Sequence, residues 1–112
     1  MKLALKEAKK SLKLDDVPVG ALIVKNNKII SKAHNQKEKK QIATMHAEII
    51  AIEKACKKLN TWHLDGCTLY VTIEPCLMCS GAMIQSRIDR VVYATKNEKF
   101  GYIESIEKIF EN

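Results

Sequence analysis

The stretch VTIEPCLMCSGAM, Val71 to Met83, passes from a β-branched strand pattern to an apolar helical run, and two cysteines stand at the junction. Pro lacks the N–H that a first helical turn leaves without a partner, so a helix is expected to open at Pro75. Cys76 and Cys79 are three apart, which puts both sulfurs on one helix face where they can point at one ion. Amides at a helix N-terminus favour negative charge and hold cysteines as thiolates, the form that binds metals. Two thiolates leave a site incomplete. Structural zinc takes four tetrahedral ligands; catalytic zinc takes three and keeps one position open for water. A lone CxxC serves equally in half a zinc ribbon or a redox pair.

A third ligand stands about 30 residues upstream, in Thr44-Met45-His46-Ala47-Glu48, just before an apolar-periodic run. Residues i and i+2 do not share a helix face, so His46 and Glu48 cannot both bind one ion from the flank of that helix. At its very end both can lean over the opening. That suits His46 as ligand and Glu48 as proton carrier beside the open fourth position.

The rest of the chain reads as support for these two helix starts. Positions 1–14 carry an amphipathic helical pattern with Leu3, Ala4, Ala8, Ser11 and Leu12 on the apolar side, closed by Asp15 and Asp16. Val19 to Lys25 is a strand, Asn26-Asn27 a turn, and Lys28 to Ser31 the start of the returning strand. The first strand is apolar nearly throughout, which predicts a place inside the sheet with both faces covered. Residues 33–43, polar and basic, read as a loop leading into the site. In it Asn35 is either a turn former or, through its carboxamide, a contact to a base edge. Thr44 is the expected N-cap of the second helix, and Asn60 its end. Trp62 is expected to pack over the strand Thr68–Ile73, while His63 has no partner motif. Cys56 and Cys67 have no ligand-like spacing and read as small buried thiols. Met78, Met83 and Ile84 lie on the Pro75 helix, as core or as a subunit contact. Arg87 is placed either on phosphate or against Asp89 or a carbonyl. Arg90 to Ala94 is a further strand, and Tyr102 to Phe110 a short helix.

One domain, residues 1–112, is expected from this length, with 46% hydrophobic residues for its core. Nineteen Lys and Arg against thirteen Asp and Glu leave +6, a balance that suits nucleic acid; Lys37, Lys39 and Lys40 form the densest patch. No apolar run approaches the ~18 residues of a membrane span, and the N-terminus has no signal-peptide core, so a cytoplasmic location without membrane partners is expected.

His46, Glu48, Pro75, Cys76 and Cys79 match the H-x-E…P-C-x-x-C signature of the zinc nucleobase deaminases. Beyond that signature, ALKEAKK (Ala4–Lys10), DVPVGALIV (Asp16–Val24), HAEIIAI (His46–Ile52) and LYVTIEPCLMCSGAMIQSRIDRVVYA (Leu69–Ala94) make the chain resemble bacterial tRNA-specific adenosine deaminases, within the cytidine-deaminase-like superfamily. SGAMIQSRI favours that family over the guanine and free-cytidine deaminases. The resemblance implies a three-layer α/β/α fold of the α/β class around a mixed sheet, here of about four strands. It implies a homodimer with one zinc ion per subunit, held by His46, Cys76 and Cys79. It further implies hydrolysis of adenosine to inosine at the wobble position of tRNA, with the anticodon arm as partner, Glu48 as catalytic proton shuttle and Asn35 on the target nucleotide. Lys37, Lys39, Lys40, Arg87, Asn97 and Lys99 are the candidate RNA contacts.

The chain departs from the pattern in three places. Ala43-Thr44-Met45 replaces the usual Pro-Thr-Ala. Asn97 and Lys99-Phe100-Gly101 replace an Asp and a Lys-Thr-Gly run. The family's final strand and C-terminal helix have no counterpart, which puts tRNA affinity most at stake. Two other readings compete: a deaminase of free guanine or cytidine, and a zinc-stabilised RNA-binding fragment without turnover. Glu48 separates them, because a purely structural site has no use for it.

Overall fold

A computed structural model of the chain describes residues 1–96 and 101. The expected helix over Tyr102–Phe110 lies outside the described residues, as do Asn97 and Lys99. The elements are α1 (Lys2–Leu12), β1 (Gly20–Lys25), β2 (Lys28–His34), α2 (Lys37–Lys40), α3 (Ala47–Leu59), β3 (Cys67–Ile73), α4 (Leu77–Gln85) and β4 (Arg90–Thr95). The sheet runs β2-β1-β3-β4. β1 pairs antiparallel with both neighbours and β3 pairs parallel with β4, giving the mixed four-stranded sheet. β1 is central, and Gly20 to Ile23 are buried, as its apolar run requires.

Alternation along β1 sorts the layers, because successive residues face opposite sides. Ala21 and Ile23 join Leu69 and Val71 of β3 in a core closed by Ala47, Ile50, Ala51 and Ala55 of α3 and Cys79 and Met83 of α4. Gly20 faces the other way, onto α1. A Cβ at Gly20 would run into the Ala4 carbonyl oxygen and the Ala8 amide, so only glycine lets the helix backbone come this near. That approach corrects the expected face of α1. Ala4, Glu7, Ala8 and Ser11 are buried, while Leu3 and Leu12 are exposed. A helix lying this close admits small side chains and excludes Leu.

Both residues of the β1–β2 turn, Asn26 and Asn27, have positive φ (51° and 62°), the combination that a tight two-residue hairpin needs. Asn60 ends α3 with φ 54°, as a left-handed C-cap. β2 extends to His34, past the expected loop boundary at Ala33, because Ala33 is fully buried in the sheet. Inside the loop, Lys37–Lys40 make one helical turn. Trp62 is 57% exposed and does not pack over β3. Its ring lies 3.8 Å from that of His63, and the Arg87 guanidinium sits 5.2 Å from its centre. Arg87 Nη1 is 3.0 Å from His63 Nδ1, while the Asp89 carboxylate is taken by the Gly66 N–H. Cys67 is buried and Cys56 half-buried, both as free thiols. Met83 is core; Ile84 is exposed.

Candidate functional site

α3 and α4 aim their N-termini at one point. His46 is the N-cap of α3 and Cys76 that of α4, both with extended backbone and neither using its side chain to cap. Pro75 therefore stands one residue before the cap, not inside the helix, and Thr44 stands two residues before the true cap of α3. A helix start leaves N–H groups without partners. At α3 the Ala47 N–H donates to Asn35 Oδ1 at 2.7 Å, from the end of β2. This remote cap frees the His46 ring for other work. Asn35 is itself fixed, its N–H donating to the Val19 carbonyl and its own carbonyl accepting from Ser11 Oγ at 2.9 Å.

His46 Nδ1 lies 3.8 Å from Cys76 Sγ and 3.5 Å from Cys79 Sγ. On one tetrahedral ion, sulfur at ~2.3 Å and nitrogen at ~2.05 Å stand about 3.6 Å apart, so the donor set has the spacing of three ligands to a single cation. The protonation pattern agrees. A hydrogen bond from the Cys79 thiol brings Cys76 down to about 4 against the effect of burial, with His46 adding to it. His46 is raised because it faces that thiolate. The Cys79 thiol is raised, since it donates to Cys76, is buried and faces Glu48. A divalent cation at this point would take the place of the protons that these three groups share.

Glu48 completes the group. Its side chain is 3% exposed, and burial raises its carboxyl to about 7. Its Oε1 has no hydrogen-bond partner among the described residues. A buried carboxylate oxygen left unpaired is costly, which marks a place where a ligand belongs. The residues open into a cavity of about 610 Å³. Val17, Val19, Ile73, Leu77 and Met78 give it aliphatic walls, and Asn35, Lys37 and Glu74 supply polar groups besides His46, Glu48 and Cys76. The cavity suits a flat, largely apolar ring with polar edges.

Of the expected basic contacts, Lys37 lines this cavity, half-buried, while Lys39 and Lys40 are exposed on α2. Arg87 follows the C-terminal end of α4, the far end from the two cysteines. Val17 and Val19 stand within DVPVGALIV, but no spacing in the sequence marks them as a cavity wall or Asn35 as the cap of α3.

The model of the MafB19-like deaminase family matches residues 1–111. The chain is 50% identical over 111 residues to the tRNA-specific adenosine deaminase of Aquifex aeolicus (strain VF5), covering 99% of itself and 74% of that relative. It belongs to the tRNA-specific adenosine deaminase family. Another family member, from Bacillus subtilis (strain 168), is 50% identical over 101 residues; these span 90% of this chain and 63% of that protein, less than two thirds of its length. A solved structure from work on A-to-I editing by tRNA:A34 deaminases at the wobble position of transfer RNA superposes with a TM-score of 0.96. It is 39% identical and covers 100% of this chain and 86% of that one. The guanine deaminase of Bacillus subtilis superposes with a TM-score of 0.81 at 41% identity, covering 85% and 61%. The family's α/β deaminase fold is thus shared with free-base enzymes. No described helix is long and apolar enough to cross a membrane.

Proposed function

We propose that this chain hydrolyses adenosine to inosine at the wobble position of a tRNA anticodon, with zinc held by His46, Cys76 and Cys79. The observation that carries the reading is Glu48: a fully buried carboxylate with an unpartnered oxygen, beside three metal-type donors, at the floor of a ring-sized cavity. A structural zinc site needs no such group. Zinc, when bound, supplies Lewis acidity that lowers the pKa of water in its open position towards ~7.

The chain's own residues do the rest. The aliphatic walls take the purine faces and exclude bulk water. Asn35 Oδ1 is committed to Ala47, and the carboxamide nitrogen makes no hydrogen bond among the described residues, so the N–H donors of Asn35 face the base. Glu48 accepts one proton of the attacking water and delivers it to ring N1 as oxygen adds at C6, then takes the proton of the new C6 hydroxyl and passes it to the amine as the C6–N bond breaks and the C6 carbonyl forms. Water is consumed and ammonia released. A loop nucleotide is extruded into such a cavity at low cost. Lys37 at the mouth serves the backbone phosphate.

The same reading takes the protein as a cytoplasmic homodimer with one zinc per subunit, supported by the exposed Ile84 on α4. A free purine base is the second reading, favoured by the likeness to guanine deaminase. The deciding experiment offers zinc-loaded protein an anticodon hairpin with adenosine at the wobble position, alongside free adenosine, guanine and cytidine. Inosine from the hairpin alone supports tRNA editing. Turnover of guanine alone moves the protein to base metabolism.

A further inference from the structure

Asp16 is 5% exposed and forms no ion pair among the described residues, yet both of its oxygens are used. Oδ1 accepts from the Val17 N–H at 2.9 Å and Oδ2 from the Glu38 N–H at 2.9 Å. One of these amides belongs to a residue that lines the cavity and the other adjoins one. Val17 belongs to the aliphatic wall, and Glu38 follows Lys37, the half-buried cation at the mouth. The remaining hydrogen bonds of residues 37–44, among the described residues, stay within residues 36–46. None of the four α2 residues is buried. The loop is anchored at its ends by Asn35 and Met45, but its basic turn buries no residue, and one carboxylate oxygen ties that turn to the body of the protein.

A buried carboxylate is costly unless it is hydrogen-bonded, and charge-assisted bonds to backbone amides are the strong kind. Spending such a group on an exposed turn makes little sense for stability, because the turn brings no apolar surface with it. It makes sense if the position of the turn matters. We propose that Asp16 is a positioning residue that sets Lys37 against the cavity mouth and thereby strengthens the grip on the RNA backbone. This rests on the tRNA reading above. Asp16 touches no reacting atom, so its effect falls on binding of ground and transition state alike, and its loss raises KM without lowering kcat.

The test measures KM, kcat and the salt dependence of hairpin turnover for wild type, Asp16→Asn, Asp16→Ser, Lys37→Ala and the double variant Asp16→Asn with Lys37→Ala. Asn can accept only one of the two N–H groups, and Ser can keep the local bond to Val17 but cannot reach Glu38. Each Asp16 variant is expected to raise KM about five- to tenfold, hold kcat within about twofold, and reduce the log–log salt slope by about 0.7, the signature of one lost phosphate contact on a single strand. The double variant should be no worse than Lys37→Ala alone, because both changes remove one interaction. An unchanged salt slope, additive losses in the double variant, or a fall in kcat at constant KM overturns the proposal. Failure of the wild type on the hairpin, with turnover of a free base, instead overturns the tRNA reading. If Asp16→Asn does not fold, Asp16→Ser and the Lys37→Ala slope decide the matter alone.

Discussion

The two faces of the sheet differ in how completely their buried polar groups are partnered, although Ser31 on the α3 side donates to the Ala51 carbonyl at 2.8 Å. On the α1 side they are partnered: Glu7 with Lys10 and His34, Ser11 with the Asn35 carbonyl, Asp16 with two backbone amides. On the α3/α4 side two buried polar atoms, Glu48 Oε1 and Ser80 Oγ, have no partner among the described residues. Partnered polar groups build and aim the frame. An unpartnered one either awaits a ligand or is a plain cost, and the difference between Glu48 and Ser80 lies in the cavity: Glu48 lines it and Ser80 does not.

The comparison breaks most visibly at Glu48. Glu48→Ala should lower turnover by about 10³-fold, within the range for a lost general acid–base group, while zinc stays bound, since Glu48 is not a ligand. Metal analysis of the purified variant checks the second half, and loss of zinc would remove Glu48 from the role of proton carrier. His63→Ala should change turnover less than about twofold. His46 and His63 both lie in helix-end connections, but His63 is part-exposed, is bonded to Arg87 and does not line the cavity.

How much of this was legible beforehand follows from range. His46, Glu48, Cys76 and Cys79 are written in short local spacings, and two helix starts suffice to bring them together. β1 announced its central place through an unbroken apolar run. The remote contacts left no such trace: nothing periodic marks Asn35 as the cap of α3, or Asp16 as the partner of Glu38, because each is one side chain meeting one backbone amide across the fold. The α1 face was misleading for another reason. Hydrophobic periodicity assigns Leu3 and Leu12 to the core, but helix–sheet distance decides which residues fit, and Gly20 sets that distance.

Gly20→Ala tests the α1 side as a frame. The added methyl meets backbone, which cannot rotate away, so the helix must move; a loss of about 2–3 kcal/mol in urea unfolding is expected, with zinc affinity little changed. A stability loss accompanied by release of zinc would show that the two faces are not separable.

Glu7 sharpens the frame side through pH. Burial raises its carboxyl, but the hydrogen bonds and charges of Lys10 and His34 more than offset this, leaving it below its ordinary 4.5. The folded state then binds the proton less tightly than the unfolded chain. The contribution to stability is present above about pH 4.5 and is lost as pH falls through the lower folded value. Urea melts of wild type and Glu7→Gln between pH 7 and 3 should converge at the acid end; a gap that stays constant would mean that Glu7 acts through packing alone.

The smallest effects give the cleanest contrast, because the same substitution is made at two fully buried serines. Ser11→Ala removes the donor to the Asn35 carbonyl and leaves that buried acceptor unpaired, so it should cost about 1–2 kcal/mol. Because Asn35 caps α3, zinc affinity should weaken with it. Ser80→Ala removes a hydroxyl that has no partner and places the better helix former in the interior of α4, so it should stabilise by about 0.5–1 kcal/mol and leave zinc binding as it was. Opposite signs at two equally buried positions would show that partnership, not burial, separates the two faces. A loss at Ser80 of the same size as that at Ser11 would mean that its hydroxyl has a partner in the working protein. Zinc titration of the variant would then show whether that partner belongs to the site.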